Sequence, residues 1–168
     1  MTRYKNPAMK QLAAQQVRYA PQPVRLEQMQ RAEELIDELQ PNGSYLYEDL
    51  CQKLTNYRPN RYPNLTLNGD EAAHDLHRFV EDLSDSANLT FDMVSEPVLS
   101  LEDVSQRYHV SAKTVTRWRQ RGLVARRFRV GSRKQIGFLE SSVRRFVLRH
   151  RDAVARGSRF SQLTDDEK

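Results

Sequence analysis

Hydrophobic residues recur at steps of three and four in two stretches of the first half of the chain. The first stripe runs through residues 24–40 and consists of Leu26, Met29, Ala32, Ile36 and Leu39. The second runs through residues 70–85 and consists of Ala72, Leu76, Phe79, Val80 and Leu83. This spacing predicts two amphipathic helices. The solvated side of the first is expected to carry Glu33, Glu34, Asp37 and Glu38.

Stretches rich in proline and asparagine separate these helices. Residues 1–23 are polar and end at "APQP", which predicts an arm with at most a short helix. "SYLYEDLCQKLTNYRP" is predicted as a further helix capped by Ser44, and "NYRPNRYPNLTLNG" as a loop. "SDSANLTFDMVSEP" is predicted as a linker.

A short helix and a turn are predicted after Pro97. Ser100 is expected to cap this helix, and Asp103 to complete a capping box with it. The turn that follows carries Val110, which is expected to plug a hydrophobic core.

A second short helix is predicted from Ala112 to about Gln120, capped by Ser111. Val115 and Trp118 lie one turn apart and are expected to face inward. Gly122 lies where a left-handed helix end is needed. The stretch from Ser111 to Phe128 holds six basic residues and no acidic one.

The residues after this helix alternate between apolar and basic positions. Val124, Phe128 and Val130 occupy even positions, whereas Arg127 and Arg129 occupy odd ones. Such alternation is typical of a half-buried strand, and "GS" at residues 131–132 predicts a turn into a second strand. Two helices followed by a basic hairpin form the plan of a winged helix-turn-helix domain.

A last helix is predicted over "LESSVRRFVLRHRDAVAR". Val143, Phe146 and Val147 are expected in the core, joined by Val154 if the helix is unbroken. The predicted fold class is mainly α, with a small helical domain followed by a winged helix-turn-helix with one short β-hairpin. The predicted divisions are an arm at 1–23, an acidic helical domain at 24–95, the winged domain at 96–156 and a mobile tail at 157–168.

Charge is divided unequally along the chain. Residues 1–99 contain 10 Lys+Arg and 15 Asp+Glu, whereas residues 100–160 contain 16 Lys+Arg and 4 Asp+Glu. Positive charge concentrated on a helix-turn-helix pattern favours double-stranded DNA as the partner, with the second helix in the major groove and the hairpin on the backbone or minor groove. The predicted DNA-binding residues are Ser111, Lys113, Thr114, Thr116, Arg117, Arg121, Arg126, Arg127, Arg129, Arg133 and Lys134.

The stretch "LSLEDVSQRYHVSAKTVTRWRQRGLVARRFRVGSRKQIGFLESSVRRFV" resembles the MerR-like and excisionase-like DNA-binding domains. Their pattern is a recognition helix "V-S-x-x-T-[LV]-x-x-[WY]" that ends at "x-x-G-L" before a wing. The matching residues here are Val110, Ser111, Thr114, Val115, Trp118, Gly122, Leu123, the Gly131–Ser132 turn and Phe138. The resemblance implies that the second helix and the wing hold DNA. The chain departs from MerR regulators because their long dimerisation helix and effector domain are not recognised downstream.

Three further stretches resemble an N-terminal extension of some bacterial sigma-70 type sigma factors, in which a MerR-like module precedes the sigma regions. They are "RYKNPAMKQLAAQQVRYAP", "SYLYEDLCQKLTNYRPNRYPNL" and "RGSRFSQLTDDE". This resemblance implies a role in transcription and contact with RNA polymerase or another protein through the N-terminal helical domain. A piece of a longer sigma factor and a stand-alone relative both fit it.

Other chemistry finds little support in the sequence. His74 and His77 lie three apart but have no Cys or third His nearby, so a solvated helix face is expected rather than a metal site. Cys51 is expected to be a small buried hydrophobe. Since no nucleotide-binding or nucleophile motif is recognised, neither an enzyme nor a cofactor is predicted.

The single Cys and the lack of a signal-like N-terminus predict a cytoplasmic location. No apolar run approaches the roughly 20 residues that a membrane span requires, so no membrane partner is expected. Two alternatives to a transcription role stay open. One is an excisionase-like architectural factor that bends DNA, and the other is an adaptor whose basic face binds an acidic protein. The oligomeric state is left open.

Overall fold

The computed structural model describes the backbone of residues 3–166 and the side chains of residues 3–159. Helices account for 61% of the chain, so the mainly α class predicted from the sequence is confirmed. The chain divides into two compact units, and the division falls between Leu89 and Thr90.

Helices dominate the first unit, in which residues 3–89 contain α1 Pro7–Tyr19, α2 Gln22–Glu38, α3 Tyr47–Thr55 and α4 Gly69–Ser86. The long helix α4 packs against both α1 and α2. Its predicted inner face is confirmed, because all five residues of its apolar stripe are fully buried. Removal of this stripe from water is the main force that holds the three helices together.

The short helix that the sequence allowed within the polar arm is present as α1, and the chain breaks after it at Ala20–Pro21 as "APQP" predicted; α2 then begins at Gln22, inside the predicted arm. α1 buries Met9 and Leu12. The carboxylate of Asp75 on α4 accepts backbone N–H bonds from Lys5 and Asn6, at 2.7 and 2.9 Å. The N-terminal segment is therefore bonded to the unit rather than extended from it.

The buried face of α2 is wider than its predicted stripe. Met29, Ala32 and Ile36 are buried as expected, but Leu35 and Glu33 are buried too, and Glu33 is only 2% exposed. The placement of Glu33 on a solvated side was wrong. α2 packs against α3 as well as α4, so two neighbours cover more of its circumference than one.

A short antiparallel ribbon replaces two predicted features of the first unit. Strand β1, Ser44–Leu46, pairs with β2, Thr66–Asn68, so Ser44 lies in a strand and does not cap α3. β2 falls within the predicted loop. Directly after β2, the side chain of Asn68 accepts the backbone N–H of Glu71 at 2.8 Å and caps α4.

The second unit combines helices with a three-stranded antiparallel sheet. In chain order its elements are β3 Val98–Leu99, α5 Leu101–Tyr108, α6 Ala112–Gln120, β4 Arg126–Val130, β5 Arg133–Leu139, α7 Glu140–Arg149 and α8 Arg151–Asp166. β5 is the central strand, with β3 and β4 on its two sides. A single 3₁₀ turn, Phe91–Met93, precedes β3.

Trp118 lies at the centre of the second unit's hydrophobic core. Its indole contacts the rings of Phe146 on α7 and Tyr108 on α5, with centroids 5.5 and 6.1 Å away. The predicted inward placement of Val115 and Trp118 on α6 is confirmed, since they are 0% and 3% exposed. Val110 is buried in the same core and plugs it from the turn between α5 and α6.

The last predicted helix is broken at His150, where α7 ends and α8 begins. Val154 of α8 still reaches the core and is 8% exposed. α8 continues to Asp166, so residues 157–166, predicted as a tail with little structure, are helical; residues 167–168 lie outside the described residues. Within the described part of the chain, no helix is long and apolar enough to cross a membrane.

Gly122→Ala is expected to destabilise the second unit by about 2 kcal/mol. The φ of Gly122 is +124°, and an added Cβ would lie 3.2 Å from Nη2 of Arg149. Gly131→Ala is the matched control, because its φ is +62° and an added Cβ would meet nothing within 4 Å; its cost should be about 1 kcal/mol. Urea unfolding of the full chain, followed by the fluorescence of Trp118, measures both. A larger loss for Gly131→Ala would contradict this reading of Gly122.

Candidate nucleic-acid interface

The turn between α5 and α6 is fixed by hydrogen bonds at both of its ends. α5 begins at the predicted capping box, in which Ser100 Oγ accepts the N–H of Asp103 and the Asp103 carboxylate accepts the N–H of Ser100. It ends at His109, whose φ of 53° is left-handed. Two bonds then tie Val110 back to Ser105: its N–H donates to the carbonyl of Ser105, and its carbonyl accepts from Ser105 Oγ. α6 therefore leaves α5 at a defined angle.

The hydroxyl groups at the start of α6 are engaged within the helix. Ser111 Oγ accepts the backbone N–H of Thr114 at 3.1 Å and lies 3.0 Å from Thr114 Oγ1. Thr116 Oγ1 donates to the carbonyl of Ala112 at 3.1 Å. The predicted N-cap is thus confirmed. Of the residues predicted to contact DNA from this helix, Ser111, Thr114 and Thr116 already have local bonding partners.

Two cations project from the same helix into solvent. Lys113 and Arg117 are exposed and lie one helical turn apart, so their side chains share a face. Opposite them, Val115 and Trp118 hold the helix to the core. Within the described residues, neither cation lies within 4 Å of a carboxylate.

The carbonyl of Trp118 ends α6 by accepting two N–H bonds, from Arg121 at 3.0 Å and from Leu123 at 2.9 Å. The bond from Leu123 closes a Schellman-type loop around Gly122, whose positive φ this loop requires. Leu123 and the indole of Trp118 lie in the same core. The hydrogen bonds to the Trp118 carbonyl and the packing of Leu123 therefore fix the end of α6 relative to the segment that leads into the hairpin.

The β4–β5 hairpin has two different faces. The register pairs Arg129 with Lys134 and Arg127 with Ile136, so these four side chains share one face. The other face carries Phe128, which is fully buried and lies 5.1 Å from the ring of Phe91. The cations Arg129 and Lys134 therefore lie near the tip of the hairpin, while Ile136 lies nearer its base.

Arg126 does not belong to the exposed basic surface. It is 6% exposed, and it lies on the same hairpin face as Phe128 because strand side chains alternate. Its prediction as a DNA-binding residue is not supported by this burial. The sequence pattern already indicated this burial, because Arg126 is an even-numbered residue of the strand, like the apolar residues Val124, Phe128 and Val130.

The hairpin cations differ in solvent exposure. Arg129 and Arg133 are exposed, whereas Arg127 and Lys134 are half-buried and have interactions within the protein. We call the exposed cations Lys113, Arg117, Arg129 and Arg133 together the basic surface: two lie on α6 and two near the hairpin tip, where the register places Arg129 and Arg133 on opposite faces. In the described part of the chain, none of these four forms an ion pair.

The sequence around the basic surface contains few carboxylates that could pair with it. From Val104 to Leu139 the chain contains ten Lys+Arg and no Asp or Glu. The next carboxylate along the chain belongs to Glu140, whose Oε1 lies 2.8 Å from Nη2 of Arg144 and 3.7 Å from Nη1 of Arg107. Like charges repel each other where they are neighbours, as in the cross-strand pair Arg129–Lys134 and the one-turn pair Lys113–Arg117, so this arrangement costs stability unless an anion is bound.

A second group of cations at the far end of α6 was only partly predicted. Arg121 was named from the sequence, but Arg149 and His150 were not. The guanidinium of Arg149 lies beside Gly122, and the ring of His150 stacks on Phe146 at a centroid distance of 4.4 Å. We call Arg121, Arg149 and His150 the C-terminal cluster. The break in the helix at His150, which the sequence pattern did not show, brings it to this place.

Burial lowers the pKa of His150 below its ordinary value, and the positive charges of Arg149 and Arg121 lower it further. The neutral imidazole is thus favoured in the folded protein. The ring is half-buried and its backbone N–H donates to the carbonyls of Phe146 and Val147.

The first unit shows less candidate chemistry. His77 is 5% exposed, which differs from the solvated face expected for it, while a ring nitrogen of His74 lies 2.8 Å from the carbonyl of Arg3. Among the described residues, no group of three or more His, Cys, Asp or Glu side chains is placed to hold a metal ion. Cys51 is buried as predicted, and burial raises the pKa of its thiol.

No family model, curated protein or solved structure matches this chain. The resemblance to MerR-like domains and to sigma-factor extensions therefore stays a prediction that depends on the quoted residues.

Acidification is expected to weaken the second unit through His150. Because the pKa of His150 is lower in the folded state than in the unfolded chain, the unfolded chain binds the proton more readily. Stability is then lost as the pH falls below roughly 6.5. The free energy of unfolding, followed by Trp118 fluorescence, should drop between about pH 7.5 and pH 5.5 and should drop less in His150→Gln. An unchanged pH dependence in the variant would contradict this.

Proposed function

We propose that the chain binds double-stranded DNA through a winged helix-turn-helix formed by α5, α6 and the β4–β5 hairpin. The observation that carries the proposal is the basic surface, whose four cations project into solvent without carboxylate partners among the described residues. A duplex offers phosphates at regular spacing, and contact with them would offset the repulsion among these charges.

Helix α6 has the features that insertion into a major groove requires. It is short, its inner side is fixed by Trp118, and its outer side presents Lys113 and Arg117. A major groove admits one α-helix, whose first turns reach the base edges. Because Ser111 Oγ and Thr114 Oγ1 lie within hydrogen-bond distance of each other, the long cationic side chains are the stronger candidates for contact with bases or phosphates.

The hairpin supports the proposal through its own charge. Arg129 and Lys134 are direct cross-strand neighbours, and a like-charged pair in this position destabilises a hairpin. Arg133 adds a third cation beside the turn, on the opposite face of the hairpin, where it pairs with Val130. A phosphate between Arg129 and Lys134 would turn their repulsion into charge-assisted hydrogen bonds. The hairpin is therefore proposed as the wing that holds the DNA backbone or enters the minor groove.

We also propose that this binding serves transcription, with the first unit as a protein contact. The support is the sequence resemblance to sigma-factor extensions and the opposite charge of the two units. Residues 1–89 contain 10 Lys+Arg and 13 Asp+Glu, whereas residues 90–168 contain 17 and 9. An acidic first unit gains nothing from contact with a duplex, which leaves its surface for a protein such as RNA polymerase.

Lys113→Ala/Arg117→Ala is expected to weaken DNA binding at least tenfold at about 50 mM salt. With about six phosphate contacts, the wild type should show a log–log salt slope near −5, and the double variant a slope shallower by about 2. Fluorescence anisotropy with a labelled duplex, titrated at several salt concentrations, measures both quantities.

The matched control for this experiment is Lys10→Ala/Arg18→Ala, which removes the same charge from exposed positions of α1. It should bind as the wild type does. Equal loss in the two variants, or no binding by the wild type at low salt, overturns the role of α6. Displacement of the duplex by polyglutamate at equal charge concentration would favour the adaptor alternative. A change of end-to-end distance in a doubly labelled duplex would favour the DNA-bending one.

Arg129→Gln/Arg133→Gln tests the hairpin separately. Since wing cations are proposed to touch the backbone, the variant should weaken binding to all duplex sequences by a similar factor and make the salt slope shallower by about 2. Affinities for a panel of unrelated duplexes provide the measurement. A loss confined to one sequence would place these two residues at base edges instead.

A further inference from the structure

The C-terminal cluster is distinct from the basic surface, because it lies at the opposite end of α6 from Lys113. Arg121 follows the last residue of α6. The guanidinium of Arg149 reaches the same place from α7, since an added Cβ on Gly122 would lie 3.2 Å from its Nη2. His150 ends α7 at the junction with α8.

The imidazole of His150 is held in this cluster by packing. It stacks on Phe146, with ring centroids 4.4 Å apart and planes 27° from parallel, and Phe146 in turn contacts Trp118 of α6. Two charged groups act on the imidazole, Arg149 from α7 and Arg121 from α6. On α8 the nearest charged residues along the chain are Arg151 and Asp152, both of which are exposed.

We propose that Arg121, Arg149 and His150 bind a backbone phosphate of the duplex, and that His150 takes up a proton from solvent as it does so. The inference rests on the proposed DNA binding and adds a contact and a pH dependence to it. The phosphodiester keeps its single negative charge, and the imidazole shifts from its neutral toward its cationic form, so up to one proton is taken up for each phosphate bound at this place.

The electrostatics of the cluster explain why the proton and the phosphate arrive together. In the free protein, burial and two guanidinium groups disfavour the imidazolium, and the pKa of His150 is lowered. A phosphate bound at the cluster would add a negative charge near the imidazole, which favours its charged form. A guanidinium binds two phosphate oxygens at once. Arg121 is exposed and suited to such a contact, whereas Arg149 also has an interaction within the protein.

A simpler explanation of the cluster is that its cations only balance the partial negative charge at the C-terminal ends of α6 and α7. That reading accounts for Arg121 and Arg149, whose charge is permanent. It does not account for His150, because burial and the two arginines lower its pKa despite the helix ends. Under the simple reading, DNA binding would leave the protonation of His150 unchanged.

Isothermal titration calorimetry of the full chain with duplex DNA, in two buffers of different ionisation enthalpy near pH 7, tests the proposal. Net proton uptake is expected for the wild type and should be lost in His150→Gln. It should persist in His109→Asn, which removes the other histidine of the second unit and keeps a residue that tolerates the left-handed backbone. A bound-state pKa one unit higher corresponds to about tenfold tighter binding at low pH than at high pH.

An NMR titration of the wild-type His150 ring covers the case in which His150→Gln does not fold. Its pKa should rise by about one unit when duplex DNA is added and stay unchanged with inorganic phosphate at about 10 mM. Tight DNA binding without a rise overturns the inference and leaves the proposed function intact. An equal rise with inorganic phosphate identifies a free-anion site and overturns it as well. Absence of DNA binding at every pH overturns both.

Discussion

The packing of Trp118 determines how the second unit presents its charge. The indole contacts an aromatic ring from α5 and one from α7, and its backbone carbonyl ends α6 and fixes the start of the hairpin. One residue therefore sets both the rotation of α6 about its axis and the point where the chain turns toward β4. The outward direction of Lys113 and Arg117 follows from this rotation, because they occupy the side of the helix that the core leaves open.

Apolar contacts also allow the unit to carry a charge distribution that is unfavourable in itself. No acidic residue lies between Val104 and Leu139. Two carboxylates outside this range bond to the framework: Glu96 accepts the N–H and the hydroxyl of Ser141 near the start of α7, and Glu140 pairs with Arg107 and Arg144. Among the described residues, no carboxylate forms an ion pair with the basic surface.

Local sequence signals were sufficient to predict the helices α5 and α6 and the turn between them. The capping serines, the helical spacing of Val115 and Trp118, and the glycine at the end of α6 act within one or two turns. The predicted bounds of α6 agree with the structure for this reason. Arg126 is the exception, since the alternation that predicted the hairpin also placed it on the buried face.

Features that depend on distant partners were not visible in the sequence. Strands β1 and β2 have three residues each and pair across an intervening helix, so neither has a pattern of its own. Glu33 is buried because a second helix covers α2, which periodicity along one helix does not reveal. The break at His150 interrupts a stretch without proline or glycine, and it creates the C-terminal cluster that the sequence reading left incomplete.

The pairing of Arg129 with Lys134 also makes the free hairpin sensitive to salt in its own right. Mobile ions screen this repulsion over about 10 Å at 0.1 M ionic strength, so added salt draws the two strand ends together and reduces fraying at the Gly131–Ser132 tip. The same ions compete for the phosphates of a duplex. Order in the unbound tip and the proposed affinity for DNA are therefore expected to change in opposite directions with salt.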